Sequence, residues 1–341
     1  MSDWRDLVRE VLGAVGLRSP TSLTWFGTPV FELPHELAGA MSPQVAYDYV
    51  CHSLQLQLYA HVYCPGYPTA AIQRTIASRP AARDAFVAAL SAANAGRGCW
   101  EPGWSFVGRD ATKLVIRRDG LSLWLDESDV DPPDPPAGPS PLVSIRLPNE
   151  LRRLSPGFYM ALGDRAVLMK PDDPLVRVYW HIGSRVAPAL VGALTQRLNA
   201  DRIAFRLKVV DAPDRYDRCD AGVLYVQRHA YGLAEPSVHA TYLELREHMH
   251  AATPAFTMRL APGLGLAEDP GTGESFGMHR SMILAQAVLA AHEVTAQGPE
   301  AQLRVAAGVF ASAAVDLDRP HLAPNSPDVY HPLEENAVNR A

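Results

Sequence analysis

Residues 177–218 hold the densest set of groups in the chain able to work on an anion. Arg177 to Ile182 is a β-branched and aromatic run. Val186, Leu190, Leu194 and Leu198 recur at helical spacing, and Ile203 to Val210 alternates, so the stretch predicts strand, helix, strand. On the second strand Ile203, Phe205, Leu207 and Val209 share one face, and Arg206 and Lys208 share the other. His181 ends the strand before. Two cations on a non-core strand face, with an imidazole close in the chain, make a candidate anion site. Taken alone, an Arg-x-Lys pair is more often the solvated face of an ordinary strand.

Other chemistries fit less well. The chain has 12 histidines, but His248 and His250 stand two apart, unlike the His-Glu-x-x-His spacing of helical zinc sites, and no Cys-His cluster accompanies them. No metal is expected. The run GLGLAEDPGTG lacks the Gly-Lys-Ser/Thr ending of a phosphate loop; it is expected to be irregular, and at its length to serve as a lid over a site. Gly273-Glu274-Ser275-Phe276-Gly277 has nucleophile-elbow spacing without the apolar strand that must precede it. Cys51, Cys64, Cys99 and Cys219 show neither metal nor disulfide spacing and read as reduced thiols.

These groups must be positioned by a chain of 341 residues, 48% hydrophobic, with net charge -6. That size supports a large core, and the charge argues against a protein held to nucleic acid by bulk electrostatics. No apolar run is long enough to cross a bilayer, and the N-terminus reads as an acid-bearing amphipathic helix, not a signal peptide, so a cytoplasmic protein is expected. Helices are predicted over 3–16, from Met41 to Ala60 (Ser42 capping, Pro43 in the first turn) and from Ala81 to Asn94, with a loop between the first two. Trp104 to Val107, Lys113 to Arg118 and Leu121 to Leu125 read as strands, the last two joined at Asp119-Gly120. The acidic, proline-rich stretch 127–141 reads as a linker. After it come strands at Val143 to Leu147, Phe158 to Gly163, Ala166 to Met169, Ala221 to Gln227 and Phe256 to Leu260. Helices are predicted from Pro236 to His250, His279 to His292 and Glu300 to Val315. The fold class is α+β: a helical N-terminal region with a small β-hairpin (1–126), the linker, a sheet-rich domain with a twisted, mainly antiparallel sheet flanked by helices (142–317), and a loosely ordered tail (318–341).

The runs FYMALGD, RVYW, LTQRLN with FRLKV, DAGVLYV and above all LAPGLGLAEDPGTGESFGMHR resemble the HopA-type effector family from about Phe158 to His292. The N-terminal part is similar more loosely, at GRGCWEPGW and DGLSLW. The resemblance implies either a secreted effector of plant pathogens or a lyase subunit of class V lanthipeptide or thioamitide biosynthesis. Composition and the structured-looking start favour the second. FRLKV and YWHI also resemble the base and acid strands of phosphothreonine lyases of the OspF and SpvC type, although those carry a Lys two residues before the His, where this chain has Tyr179.

The resemblance implies β-elimination of phosphate from phosphoserine or phosphothreonine in a precursor peptide, giving dehydroalanine or dehydrobutyrine. Such chemistry needs a base for the Cα proton, an acid for the departing oxygen and cations for the dianion. Lys208 suits the base if neighbouring cations lower its pKa, and His181 suits the acid. Arg206, Arg215, Arg218, Arg259 and Arg280 are candidates for phosphate, which the guanidinium fork binds through two oxygens. His279 and Tyr225 are further candidate contacts, and Glu268 and Asp269 could orient the cations or cap backbone amides. No cofactor is implied. The expected partners are the phosphorylated precursor peptide, leader and core, and a separate kinase, since the chain has no kinase signature. No nucleic-acid or membrane partner is expected. The rival reading is a non-catalytic subunit that binds the leader peptide or scaffolds the biosynthetic complex.

Overall fold

In the computed structural model, which describes residues 4–19, 22–65, 80–135, 141–152, 154–167, 173–293 and 298–333, helix α1 (Trp4–Ala14) buries Val8, Val11 and Leu12 as its apolar period requires. The expected loop after it is instead a three-stranded antiparallel meander, β1 (Val15–Ser19), β2 (Ser22–Trp25) and β3 (Thr28–Glu32). Its strands are too short to carry a legible alternation. Short α2 (His35–Ala40) leads to α3 (Pro43–Leu58), where the Ser42 hydroxyl accepts a hydrogen bond from the Val45 N–H at 3.3 Å. The chain then makes a π-helical turn, Tyr59–Tyr63. Helix α4 (Pro80–Ala93) closes this part.

The strands β4 (Cys99–Asp110), β5 (Lys113–Arg118), β6 (Leu121–Leu125), β7 (Val130–Asp131) and β8 (Leu142–Leu147) form one antiparallel sheet in the order β6-β5-β4-β8-β7. The stretch expected as a linker is therefore partly built. Glu127–Asp129 is a 3-10 turn, and buried Val130 pairs with Ile145. Because β8 pairs with β4, strands from both sides of 127–141 share a sheet and a small core of Trp104, Leu114, Ile116, Val143 and Ile145. Residues 136–140 lie outside the described residues.

The larger sheet has seven antiparallel strands in the order β14-β15-β11-β13-β12-β10-β9. They are β9 (Glu150–Leu151), β10 (Phe158–Leu162), β11 (Leu175–Trp180), β12 (Phe205–Val210), β13 (Gly222–Gln227), β14 (Met258–Ala261) and β15 (Leu264–Glu268). Helices α5 (Ala187–Ala200), α6 (Arg228–Leu245), α7 (Phe276–Glu293) and α8 (Pro299–Ser312) complete an α+β fold. The strand expected at Ala166 to Met169 does not form at Ala166 and Val167, and its remainder is outside the described residues. Helix α6 begins eight residues before the predicted start and carries Pro236 in its interior. Burial of Tyr231 and Ala234 outweighs the local preference of proline for a first turn.

Two corrections shape the site. Leu264–Glu268, within the expected lid, is a fully buried strand paired with β11, so only 269–275 remains loop. The expected loose tail packs back onto the sheet as far as Leu333: His321, Leu322 and Tyr330 are buried, and the Leu333 N–H donates to the Leu260 carbonyl at 2.9 Å. Its anchors are far away in the chain, which local pattern does not reveal.

Each face of the large sheet has its own core. Val176, Val178, Trp180, Leu207, Leu224 and Val226 pack against α4, α5 and α6, where Leu190, Leu194 and Leu198 form the predicted stripe. Shortening any of these buried leucines to alanine costs about 2–5 kcal/mol. On the other face Tyr179, Val223 and Ala267 pack against α1, α3, α7 and α8. Toward β12 and β10 that second face carries part-buried Arg206, Lys208, Met160 and Leu162 and opens into a cleft.

Candidate active site

Register decides which side chains meet. Tyr179, Val223 and Lys208 form one row across β11, β13 and β12, and Arg177, Tyr225 and Arg206 form the next. In an antiparallel sheet residues directly opposite share a face, so both rows look toward the cleft of about 170 Å³. Its walls include Lys208, Arg177, Arg215, Arg218, Tyr179 and Tyr225, closed by Tyr59 and Tyr63 of the π-turn and by Ser275 and Gly277 at the start of α7.

The Lys208 ammonium sits 3.8 Å from the centre of the Phe158 ring. Burial lowers its pKa, Asp220 pulls it back up, Arg218 and Arg177 push it down again, and the balance is about 8. A fair fraction of free amine is thus present near neutral pH, as a general base requires. Arg218 is buried and bonded through two guanidinium nitrogens to Asp220, Nη2 to Oδ2 being 2.8 Å. Asp220 also accepts from the Tyr59 hydroxyl and the Cys64 thiol, each at 3.1 Å. Burial raises the Asp220 pKa, but Arg218, with the hydrogen bonds from Cys64 and Tyr59, more than offsets this and holds it below the usual carboxylate value. Cys64 and Cys219, distant in the chain, lie 3.5 Å apart as free thiols behind this pair.

Arg215 has its Nε buried with no hydrogen-bond partner among the described residues. It rests against Gly157, where φ is +83° and a Cβ would lie 2.7 Å from Nη1, so only glycine leaves the guanidinium its place. Arg177 donates to Asp269 through Nε (3.0 Å) and Nη2, reaches the Glu274 carbonyl at 3.4 Å, and lies 5.4 Å over the Tyr225 ring. Asp269 thereby orients a cation, one of the roles open to it. At the rim, the Ser275 hydroxyl accepts from the Met278 N–H at 3.2 Å, capping α7. Gly277 lets that helix meet the π-turn, because a Cβ there would lie 2.2 Å from the Tyr63 ring.

Lys208, Arg215, Arg218 and Tyr225 are therefore brought together. Arg206 shares the face but turns toward the Val167 carbonyl at 3.5 Å and is not on the cleft wall. His181 follows the end of β11 and is also off the wall. Its Nδ1 donates to the Ala252 carbonyl at 2.9 Å, its ring centre lies 4.7 Å from that of His250 with the planes tilted by 38°, and burial lowers its pKa, so the imidazole is neutral. A neutral ring with its only N–H bonded to a carbonyl is a poor acid. Arg259 is exposed on the edge strand β14, in a different groove.

Arg280 is not available to a phosphate. It is fully buried, donates to the Pro320 and Leu322 carbonyls at 2.8 and 2.9 Å and to His279 Nδ1 at 2.6 Å, and burial brings its pKa down to about 10. His279, lowered to about 4 by burial and then by Arg280, is neutral. Glu268 is likewise structural, taking the Tyr330 hydroxyl at 2.6 Å and the Ala323 N–H at 2.9 Å. Replacing Arg280 with methionine should expose 316–333 to limited proteolysis without raising KM for any phosphorylated substrate. A KM effect with an intact tail would instead put Arg280 in the site.

Arg177 and Tyr179 were not among the expected site residues, although the alternation of β11 puts both on the Lys208 face. Tyr59, Tyr63 and Asp220 carried no signal, because a π-turn and a long-range approach deliver them. Among the described residues no group of His, Cys, Asp and Glu could hold a metal ion, and no helix is long and apolar enough to cross a membrane.

A model of the HopA1 effector protein family matches residues 150–322, half of the chain. Among solved structures, the chain is similar to the effector protein from Pseudomonas syringae pv. tomato strain DC3000, at 16% identity and a TM-score of 0.44. It is also similar to the effector protein from Pseudomonas syringae pv. syringae strain 61, at 14% identity and a TM-score of 0.40. Each alignment covers 81% of this chain and 96% of the other. No curated protein matches the chain.

Proposed function

This chain belongs to the HopA1 effector protein family, and on that premise we propose that it is a lyase that eliminates phosphate from phosphothreonine or phosphoserine in a peptide. The observation that carries the reading is the lowered pKa of Lys208, about 8, in a cleft walled by three arginines and four tyrosines. The free amine of Lys208 takes the Cα proton, the electron pair forms the Cα=Cβ bond, and the Cβ–O bond breaks to release inorganic phosphate. Arg215 and Arg177 meet the phosphate oxygens and Arg218 adds its charge from below.

Proton donation to the leaving oxygen is assigned to Tyr179 in place of His181. Tyr179 shares the Lys208 row, about 10 Å away at two strand spacings of ~4.8 Å. Burial raises its pKa, so the phenol holds its proton, while the Arg177 guanidinium acts against that rise and favours the phenolate that donation leaves behind. The resemblance in the sequence supports a ribosomal-peptide pathway in the cytoplasm, where a separate kinase supplies the phosphorylated precursor and the product carries dehydroalanine or dehydrobutyrine.

The test is mass spectrometry of a phosphothreonine peptide incubated with the protein. Loss of phosphoric acid to leave an unsaturated residue supports the reading; loss of phosphate with gain of water means a phosphatase and overturns it. The pH profile is a second check. Because the base must be neutral, kcat/KM should rise as pH increases and level off above about pH 8. A rate that is flat from pH 6 to 9, against a base titrating near about 8, would remove Lys208 from that role.

A further inference from the structure

Two of the four cysteines stand at the back of the cleft and take no part in the elimination. Cys64 follows the π-turn Tyr59–Tyr63, and Cys219 lies in the connection between β12 and β13, 155 residues further on. Both are buried and free, and the Cys219 thiol donates to the Cys64 sulfur at 3.5 Å. Cys64 in turn donates to Asp220 Oδ1 at 3.1 Å, and the Cys219 sulfur is 3.7 Å from the Tyr63 carbonyl. That carbonyl also accepts from the Ala255 N–H at 2.9 Å, which holds the backbone on the Cys64 side. Disulfide sulfurs are about 2.05 Å apart, so the pair has to close by only about 1.5 Å. The other two thiols face elsewhere, Cys51 toward the Met282 sulfur and Cys99 toward the Trp100 carbonyl.

We propose that Cys64 and Cys219 are a redox modification site: a small peroxide converts the two thiols to a disulfide, which ties the π-turn to the connection carrying Arg218 and Asp220 and slows the reaction in the cleft. Cys64 passes its proton to Asp220, which already accepts from it, and its sulfur attacks one peroxide oxygen. The O–O bond breaks, and the departing hydroxide takes that proton and leaves as water. The Cys219 sulfur then attacks the Cys64 sulfenic acid. The S–S bond forms, the S–O bond breaks, and a second water leaves with the Cys219 proton. Two thiols lose two electrons and one peroxide becomes two waters. The Cys219 hydrogen bond and burial push the Cys64 pKa up, so the reaction is slow and selects an oxidant small enough to pass Tyr63 and Asp220 on the cleft wall. In a reducing compartment thiol exchange reopens the bond. While closed, it takes the Cys64 donor from Asp220 and fixes Tyr59 and Tyr63 against the sheet. Formation of the bond does not depend on the lyase reading; its effect on rate does.

The experiment treats the full chain with hydrogen peroxide, blocks the remaining thiols with iodoacetamide in denaturant, and maps an unreduced digest by mass spectrometry. The expected result is one cross-linked pair of peptides holding Cys64 and Cys219, separated by dithiothreitol, with Cys51 and Cys99 in no link. The oxidised protein should melt about 5 °C higher, because closing a loop of 155 residues restricts the unfolded chain. Elimination from a phosphothreonine peptide should fall about tenfold, since walls displaced by ~1 Å lose that much and more. The loss should be reversed by dithiothreitol and be absent in Cys219→Ser, with Cys219→Ala as the second variant where serine disturbs the packing. Both thiols still alkylated after peroxide, or sulfinic acid without a link, overturns the proposal. So does a bridged protein that eliminates phosphate at an unchanged rate. If the bridge forms and neither the reduced nor the oxidised protein eliminates phosphate, the redox site stands and the lyase reading falls.

Discussion

Lys208→Ala should lower elimination from a phosphothreonine peptide by about 10²–10⁴-fold, the usual contribution of a positioned general base. Binding of the same peptide should survive, because Arg215, Arg177 and Arg218 remain on the wall. The protein should be no less stable, since the side chain removed is a part-buried cation held against its charge by burial. Lys208→Arg should be as inactive as alanine: a guanidinium keeps its proton at any working pH. Single-turnover rates, peptide affinity and thermal unfolding of both variants separate these effects. An alanine variant with full activity would remove the base from the mechanism and bring forward a binding or scaffolding role.

Asp220→Asn carries the second large effect, and on stability as much as rate. Asp220 gathers Arg218, Tyr59 and Cys64 around one buried carboxylate. Neutralising it leaves Arg218 buried without its counter-charge, which costs about 3–5 kcal/mol in comparable cases. Arg218→Met combined with Asp220→Leu should recover much of that loss, because removing both charges avoids the desolvation each requires. Denaturant unfolding of the single and double variants tests the pairing, and equal losses in the two would contradict it. The electrostatic sign is separately testable. Asp220 raises the Lys208 pKa, so in Asp220→Asn the rising limb of the pH profile should move to lower pH.

Much of the fold and half of the site were legible in the sequence, for identifiable reasons. Lys208, Arg206 and Tyr225 lie on strands whose period-two pattern fixes their face, and β12 and β13 formed where that pattern put them. Arg215 and Arg218 follow β12 closely enough to stay near it. His181 and Arg280 could not be read in the same way. The first lies one residue beyond its strand, where a backbone bond to Gly263 and a ring contact with His250 set its direction. The second sits in an apolar helix whose partner is a tail segment some 40 residues further on. The glycine-rich run hid β15 because Gly263 and Gly265 interrupt the apolar alternation that Leu264 and Leu266 would otherwise declare.

The Glu268 contacts also set an order of events as the chain leaves the ribosome. This carboxylate lies in a central strand, yet its donors are Ala323 and Tyr330, the latter 62 residues downstream. At 5–20 residues per second, synthesis of that interval takes roughly 3–12 s. During it, strand β15 can join β11 with its carboxylate facing only the Arg228 guanidinium, 4.0 Å away, and with neither of these two hydrogen bonds made. This side of the sheet therefore stays under-bonded until the tail arrives, so slowing translation across 269–330 should prolong exposure of these strands to chaperones.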